Sequence, residues 1–153
     1  MRGDTTGKTS DYQVLVVDDE KEIRSLLEHY LEEREDGFEV ATATNGKEAL
    51  GMLRSPESHF DAVLLDISMP KMGGFETLKH IQEDGHRVVT IVLSGQAGEE
   101  DQLQAFDLGA LDFVKKPFSL EVLVARLKLN LAREAQLREA WPDPWKPLVE
   151  GGP

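Results

Sequence analysis

The feature that most restricts the fold of this chain is a short apolar run, Ala62 to Leu65, that ends abruptly in Asp66. A loop rich in turn-forming residues follows, with Pro70 and the pair Gly73-Gly74. An apolar run of this length that stops at a turn is typical of a parallel strand buried on both faces. In open α/β sheets, functional groups collect just beyond the carboxyl ends of such strands. Asp66 is therefore the first candidate for a functional residue.

Strand-like and helix-like segments alternate along the whole chain. The predicted strands are Tyr12 to Val17, Phe38 to Thr44, Asp61 to Leu65, Val88 to Leu93 and Leu111 to Val114. The predicted helices are Glu22 to Arg34, Lys47 to Leu53, Phe75 to Glu83, Glu99 to Leu108, and a long one from the cap residue Ser119 to about Ala140. Strand–helix repeats at this spacing predict one α/β domain whose parallel sheet carries helices on both faces.

The two ends of the chain differ in composition from the part between them. Residues 1–11 are polar and are predicted to form a disordered leader, and residues 12–131 are predicted to form the domain. Residues 132–153 are predicted to form a helical extension and a tail containing proline and tryptophan, which cannot continue a helix.

Charge and composition exclude several classes of function. The formal net charge of −12 argues against a general nucleic-acid-binding protein, which would need a basic face. Cysteine is absent from the sequence, so disulfide bonds and thiolate metal sites are excluded. The sequence shows neither an apolar run of membrane-spanning length nor the apolar core of a signal peptide. We therefore expect a cytoplasmic protein with no membrane contact.

Polar side chains stand where the other predicted strands end. Asp18 and Asp19 follow the first strand, Ser94 follows the fourth and Lys116 follows the fifth. In a doubly wound sheet whose first strand lies beside the third, these groups converge with Asp66 at one edge. The sequence therefore predicts a single polar site there.

Three carboxylates at one edge repel one another, since two unit charges about 5 Å apart cost roughly 3 kcal/mol at an effective dielectric constant near 20. A divalent cation removes this repulsion, and hard oxygen ligands favour Mg²⁺, with Mn²⁺ as a substitute. We predict a Mg²⁺ site formed by Asp18, Asp19, Asp66 and the main-chain carbonyl of Ser68. Lys116 supplies a second positive charge. The simpler alternative for Asp18 and Asp19 is that they only favour the N-terminus of the helix that follows.

These landmarks resemble those of bacterial two-component response-regulator receiver domains, the family that includes the chemotaxis receiver. The matching residues are Val17-Asp18-Asp19, Asp66 with Met69-Pro70, Met72 and Gly74, Ser94-Gly95, Phe113, and Lys116-Pro117-Phe118. The resemblance covers about Tyr12 to Leu131. It implies a flavodoxin-like, doubly wound, five-stranded parallel sheet of strand order 2-1-3-4-5 with five helices, the last one extended. It also implies a cis bond between Lys116 and Pro117.

The resemblance further implies a role for each site residue. Asp66 would take a phosphoryl group from a histidine kinase or a histidine phosphotransfer protein, and Lys116 and Ser94 would contact the phosphoryl oxygens. Asp18, Asp19, Asp66 and the Ser68 carbonyl would hold Mg²⁺. Ser94 and Phe113 would form the switch, with Phe113 swinging inward as Ser94 moves toward the phosphoryl group. The alternative for Phe113 is an ordinary strand aromatic packed in place.

The switch would reshape the face made by the fourth helix, the fifth strand and the fifth helix. This face would control an output domain or another partner, or it would join two copies of the chain, with Asp112 and Arg126 bonding across the dimer. The chain is then either a stand-alone receiver or a piece of a longer regulator. We expect it to catalyse its own phosphorylation and dephosphorylation and to turn over no external substrate.

Two enzymatic or cofactor-binding alternatives share parts of this pattern. A Mg²⁺-dependent phosphatase of the haloacid-dehalogenase type also uses an aspartate nucleophile and a lysine. That family, however, places a second aspartate where this chain has Ser68, and it usually carries a cap domain, for which this chain lacks room. A flavodoxin would need a hydroxyl-rich phosphate loop after the first strand, where this chain has Asp18-Asp19-Glu20.

Overall fold

The computed structural model describes residues 12–35, 37–69, 72–95 and 98–140. The predicted leader, the tail after Ala140 and Pro70 lie outside the described residues. The domain limits at residues 12 and 131 stay predictions.

Strands and helices alternate from one end of the described chain to the other. The strands are β1 (Gln13–Val17), β2 (Glu39–Ala43), β3 (Ala62–Asp66), β4 (Val89–Ser94) and β5 (Asp112–Lys115). The helices are α1 (Lys21–Glu33), α2 (Gly46–Arg54), α3 (Gly74–Glu83), α4 (Glu99–Asp107) and α5 (Leu120–Ala140). Each predicted element is present, and no bound differs from the predicted one by more than one residue.

All strands are parallel, and their order in the sheet is β2-β1-β3-β4-β5. The predicted topology is therefore confirmed, including the edge position of β2. Val17 of β1 pairs with Leu65 of β3, so Asp18 and Asp66 come at the same level of the sheet. In this order β2 lies on one side of β1, and β3, β4 and β5 follow on the other side. The strand order therefore reverses between β1 and β3, where both carboxylates lie, and ligands bind at this point in such sheets.

The core has two layers because side chains of each strand alternate between the two faces of the sheet. Val14 and Val16 face the layer covered by α1 and α5, whereas Leu15 and Val17 face the layer covered by α2, α3 and α4. All residues of β3 are buried, which explains the unbroken apolar run that precedes Asp66. Helices on both faces are thus confirmed.

Two local details of the prediction are confirmed. The Lys116-Pro117 bond is cis, and Ser119 caps α5 by accepting a hydrogen bond from the Val122 N–H at 3.2 Å. Asn45 is the N-cap of α2, where its side chain accepts a hydrogen bond from the Glu48 N–H at 2.9 Å. Asparagine is favoured at this position because its side-chain oxygen satisfies an open helical N–H.

The apolar side chains of α1 are not all covered by the core. Leu27 and Leu31 are buried, but Leu26 is 48% exposed because it lies about 100° around the helix from Leu27. None of the helices in the described ranges combines the length and the apolar character that a membrane span requires.

Candidate functional site

A cavity of about 340 Å³ opens at the carboxyl end of the sheet, above β1, β3, β4 and β5. Its walls come from four different loops and consist of Asp19, Glu20, Asp66, Ser68, Gly95 and Lys116. Most of these residues carry charged side chains, so the cavity suits a small, highly charged ligand and not an apolar one.

Asp18 is fully buried and is held at each of its polar groups. Its N–H donates to the carbonyl oxygen of Ala43 at 3.2 Å, and its own carbonyl oxygen accepts from Arg24 Nη1 at 2.8 Å. Its Oδ1 accepts from the Glu20 N–H at 2.9 Å, and its Oδ2 accepts from Lys116 Nζ at 3.0 Å. A buried carboxylate needs this degree of compensation, because an unpaired one would cost several kcal/mol.

Asp66 ends the central strand and is only 2% exposed. Its Oδ1 accepts from the Ser68 N–H at 3.0 Å and lies 3.7 Å from Lys116 Nζ. Burial raises the pKa of the Asp66 carboxyl above its ordinary value, and the negative charges of Asp18 and Asp19 add to the rise. The hydrogen bond from Ser68 and the charge of Lys116 oppose this effect without cancelling it.

Lys116 reaches the acidic residues from the end of β5. Its N–H donates to the carbonyl oxygen of Ser94 at 2.7 Å, which fixes its main chain against β4. Burial acts to lower the pKa of the Lys116 ammonium, but the hydrogen bond to Asp18 and the charges of Asp66, Asp18 and Glu20 together leave it raised. The lysine is therefore positively charged throughout the physiological pH range.

The three carboxylates meet the chemical requirements of a magnesium site. Asp18, Asp19 and Asp66 each place a carboxylate oxygen so that all these atoms lie within 4.8 Å of one another. The oxygens are hard ligands, and Mg²⁺ needs few protein ligands because it keeps several waters. The negative charges of Asp18 and Asp19 contribute to the raised pKa of Asp66, and a bound cation would offset this repulsion. The donor set thus fits Mg²⁺.

The structure brings together most of the residues predicted from the sequence to form the site. Asp19, Asp66, Ser68 and Lys116 line the cavity, and Asp18 lies directly beneath it. Ser94 is fully buried, and its neighbour Gly95 lines the cavity in its place.

Phe113, the predicted switch aromatic, lies inside the domain. It is 8% exposed and packs in the core layer covered by α2, α3 and α4. Val92 of β4 is its partner in the sheet register, so Phe113 lies near the Ser94 end of that strand. The switch role of Ser94 and Phe113 stays a prediction.

One contact at the site was not expected from the sequence, namely the hydrogen bond from Arg24 to the carbonyl of Asp18. Arg24 lies in the second turn of α1, six positions after Asp18. Such a bond cannot be predicted from residue types, because every residue has a main-chain carbonyl. The one signal in the sequence was that Arg24 lies close to Asp18 along the chain.

Comparison with known proteins gives a consistent result. The family model described as "Response regulator receiver domain" matches residues 14–128. The transcriptional regulatory protein CpxR of Escherichia coli strain K12 is 39% identical over 121 residues, which cover 79% of this chain and 50% of CpxR. The chain spans about half the length of the curated relatives that it matches.

Solved structures agree in fold. The response regulator TrrA from Thermotoga maritima, in complex with Mg²⁺ and BeF, superposes with a TM-score of 0.68 at 34% identity, covering 78% of this chain and 98% of TrrA. A CheY-like receiver domain protein from Methanospirillum hungatei gives a TM-score of 0.76 at 26% identity, covering 82% of this chain and 97% of that one. These similarities do not support the haloacid-dehalogenase alternative. With the fold, the acidic cavity and the matched residues in agreement, the chain belongs to the response regulator receiver domain family.

Proposed function

We propose that this chain is a phosphorylation-activated signalling module whose Asp66 carboxylate accepts a phosphoryl group. The donor is a phosphohistidine of a histidine kinase or a histidine phosphotransfer protein. The observation that carries this proposal is the position of Asp66, which is a buried carboxylate at the end of the central strand and faces a charged cavity beside an ammonium group. Membership of the receiver family supports it.

In the transfer, an oxygen of Asp66 forms a bond to phosphorus while the bond from phosphorus to the donor imidazole nitrogen breaks. The imidazole leaves and the product is an aspartyl phosphate. Lys116 Nζ lies 3.7 Å from Asp66 Oδ1, so it can contact the oxygens of the transferred group and stabilise their charge. The Ser94 hydroxyl would donate to a phosphoryl oxygen.

Asp18, Asp19, Asp66 and the carbonyl of Ser68 would hold Mg²⁺, and Mn²⁺ would substitute for it. When bound, the cation neutralises the carboxylates and the negative charge that develops on the phosphoryl oxygens. The solved structure of TrrA is a complex with Mg²⁺ and BeF, which supports a magnesium site in this chain. The chain would catalyse its own phosphorylation and dephosphorylation and turn over no external substrate.

The signal would leave the domain through the face formed by α4, β5 and α5. This face exposes apolar side chains to solvent, among them Leu103, Phe106 and Val122, which are 58%, 44% and 48% exposed. Movement of Ser94 and Phe113 on phosphorylation would change its shape. CpxR is described as a transcriptional regulatory protein and is about twice as long as the matched region, which supports an output domain as the partner.

The same face is also a candidate for pairing between two copies of the chain. Arg126 Nη1 lies 2.9 Å from Asp112 Oδ1 within one chain, so the pair predicted to bond across a dimer is formed internally here. Asn130 Nδ2 donates to Asp112 Oδ2 at 3.3 Å. A dimer with the predicted cross-chain bond would therefore require Arg126 to exchange partners. The cytoplasmic location and the lack of direct nucleic-acid or membrane contact stay predictions.

Incubation with acetyl phosphate and Mg²⁺, followed by intact-mass measurement, tests the proposal. The wild-type chain should gain an acid-labile adduct of about 80 Da, and the Asp66→Asn variant should gain none. Asp107→Asn, an exposed aspartate on α4, is the matched control and should be modified like the wild type. An adduct of equal yield on Asp66→Asn would contradict the proposal.

A further inference from the structure

Arg24 makes a contact with the acidic site that is directed at the main chain and not at a carboxylate. Its Nη1 donates to the carbonyl oxygen of Asp18 at 2.8 Å. Arg24 is half-buried, and its position on α1 is fixed by the helical hydrogen bond from its N–H to the Glu20 carbonyl oxygen at 3.1 Å. The donor is therefore mounted on a rigid element that begins next to the site.

The carbonyl that Arg24 holds belongs to the peptide group between Asp18 and Asp19. Because a peptide group is planar, fixing its oxygen also fixes the N–H and the Cα of Asp19. Asp18 is already held by packing and by hydrogen bonds to both carboxylate oxygens. Asp19 is exposed, so its direction depends far more on the orientation of its main chain.

A second acidic group, Glu48, is near enough to Arg24 to interact with its charge. Glu48, in the first turn of α2, accepts hydrogen bonds from the N–H and Oγ1 of Thr44 at 2.7 and 2.9 Å. These bonds lower the pKa of Glu48, and the nearby charge of Arg24 lowers it further. Arg24 thus donates to the Asp18 carbonyl while its charge also interacts favourably with Glu48.

We propose that Arg24 is a positioning residue for the cation site, which fixes the Asp18–Asp19 peptide and so holds the Asp19 carboxylate in the direction needed to bind the ion. The inference rests on the proposed magnesium-dependent function. Groups that orient metal ligands without touching the metal commonly change metal affinity by about 10–100-fold when they are removed.

Simple electrostatics predicts the opposite result, and this makes the inference testable. Arg24 is a cation near a cation site, so removing its charge should by itself strengthen Mg²⁺ binding. A positioning role predicts that binding weakens instead. The sign of the change in affinity therefore separates the two effects.

The experiment is a calorimetric titration of the full chain with MgCl₂, applied to the wild type, Arg24→Met, Arg24→Lys and Lys21→Met. Arg24→Met should bind Mg²⁺ roughly tenfold more weakly. Arg24→Lys, which retains the positive charge and an N–H donor group on a shorter side chain, should recover part of that loss. Lys21→Met removes an exposed positive charge from the first turn of the same helix and should leave the affinity unchanged or slightly raised. Arg24→Gln replaces Arg24→Met if that variant does not fold.

Unfolding in urea without Mg²⁺ separates positioning from a purely structural role. If Arg24→Met is less stable but binds Mg²⁺ as tightly as the wild type, or more tightly, the inference is overturned. It is also overturned if the wild type binds no Mg²⁺. If Mg²⁺ binding weakens as expected but the wild type gains no adduct on Asp66, the inference stands and the proposed phosphoryl transfer fails.

A kinetic measurement adds an independent readout. The Mg²⁺ concentration that half-saturates adduct formation from acetyl phosphate should rise about tenfold in Arg24→Met, in parallel with the affinity. The rate at saturating Mg²⁺ should change by less than about threefold, because the nucleophile and Lys116 are untouched. A fall in the saturated rate with no change in half-saturation would contradict a positioning role.

Discussion

Lys116 Nζ lies 3.0 Å from Asp18 Oδ2, and this is the shortest of the ion pairs that the lysine forms. The distance to the candidate phosphoacceptor Asp66 is longer, at 3.7 Å to Oδ1. The lysine is therefore closest to Asp18, the most buried carboxylate of the site. A cation held by the carboxylates would also offset the charge of Asp18 and so leave the ammonium group available for the phosphoryl oxygens.

Replacing Lys116 should destabilise the metal-free protein. Lys116→Met leaves the buried Asp18 carboxylate without its ion-pair partner, and we expect the free energy of unfolding to fall by about 2 kcal/mol. Because the folded-state pKa of Lys116 is raised, its stabilising contribution is fully present below the ordinary lysine pKa and fades as the pH rises through the folded value. Urea unfolding at pH 7 in EDTA measures the loss.

The matched control for Lys116 is Lys115→Met, which removes the same charge from the exposed neighbouring position. It should change the free energy of unfolding by no more than about 0.5 kcal/mol. Added Mg²⁺ should restore part of the stability of Lys116→Met but little of its rate of phosphorylation. Equal stability of the two variants in EDTA would show that Lys116 does not compensate Asp18.

Ionisation of the Asp66 carboxyl should lower the free energy of unfolding at neutral pH when no metal is bound. Its pKa is raised, chiefly by burial, so the folded protein binds the proton more tightly than the unfolded chain does. The cost of ionisation is absent below the unfolded-state pKa of about 3.9 and grows as the pH rises through the raised folded value. Asp66→Asn should therefore be more stable than the wild type at pH 7, by about 1 kcal/mol or more.

Urea unfolding of Asp66→Asn and the wild type in EDTA, from pH 3.5 to 8, measures this difference. The two curves should converge at the acidic end and separate as the pH rises. Saturating Mg²⁺ should narrow the gap at pH 7, since it stabilises the wild type more. A constant difference across the pH range would mean that ionisation of Asp66 is not its cause.

Mg²⁺ itself should stabilise the fold by mass action. A ligand present at about 100 times its dissociation constant adds roughly 2.7 kcal/mol to the free energy of unfolding. Asp19→Asn should remove most of this gain while leaving the metal-free stability within about 0.5 kcal/mol of the wild type, because Asp19 is exposed. Glu22→Gln, an exposed acid in the first turn of α1, should keep the full response. Thermal melts at a series of MgCl₂ concentrations give the comparison.

Pairing through the α4–β5–α5 face should depend on phosphorylation. Beryllofluoride with Mg²⁺, used as a phosphoryl mimic, should raise the molar mass measured by light scattering toward that of a dimer. Leu103→Glu, at a side chain that is 58% exposed, should block this rise with little effect on stability. An unchanged mass in the wild type with and without the mimic would rule out a dimer of this type.

The sequence was sufficient to predict the fold and the convergence of the acidic residues. A buried parallel strand is recognisable as a short, unbroken apolar run. Asp18 and Asp66 lie at the ends of β1 and β3, which are neighbours in a doubly wound sheet and end at the same level. The position of Lys116 after β5 follows from the same rule. These predictions rest on main-chain geometry, which the spacing of apolar residues largely determines.

What could not be predicted depends on individual side-chain geometry. The closer approach of Lys116 to Asp18 than to Asp66 is a difference of 3.0 against 3.7 Å, which no residue pattern encodes. Nothing in the sequence distinguishes Arg24 from the other arginines as the one whose side chain donates to the main-chain carbonyl of Asp18. Leu26 follows the apolar spacing of α1 but is 48% exposed, because the spacing of apolar residues does not show how much of the helix surface its neighbours cover.

The close contact between α3 and the loop after Asp66 gives a final prediction. A methyl group on Gly74, the first residue of α3, would overlap the main chain and side chain of Ile67, which directly follows Asp66. Gly74→Ala should therefore cost about 1–3 kcal/mol and also slow phosphorylation, because relief of the overlap must displace Ile67. Gly51→Ala, in the interior of α2 with open space around the position, should instead stabilise the protein by about 0.5–1 kcal/mol. Urea unfolding of both variants measures whether their free energies of unfolding change in opposite directions. An unchanged free energy of unfolding in Gly74→Ala would show that the loop can move away from α3 at no cost.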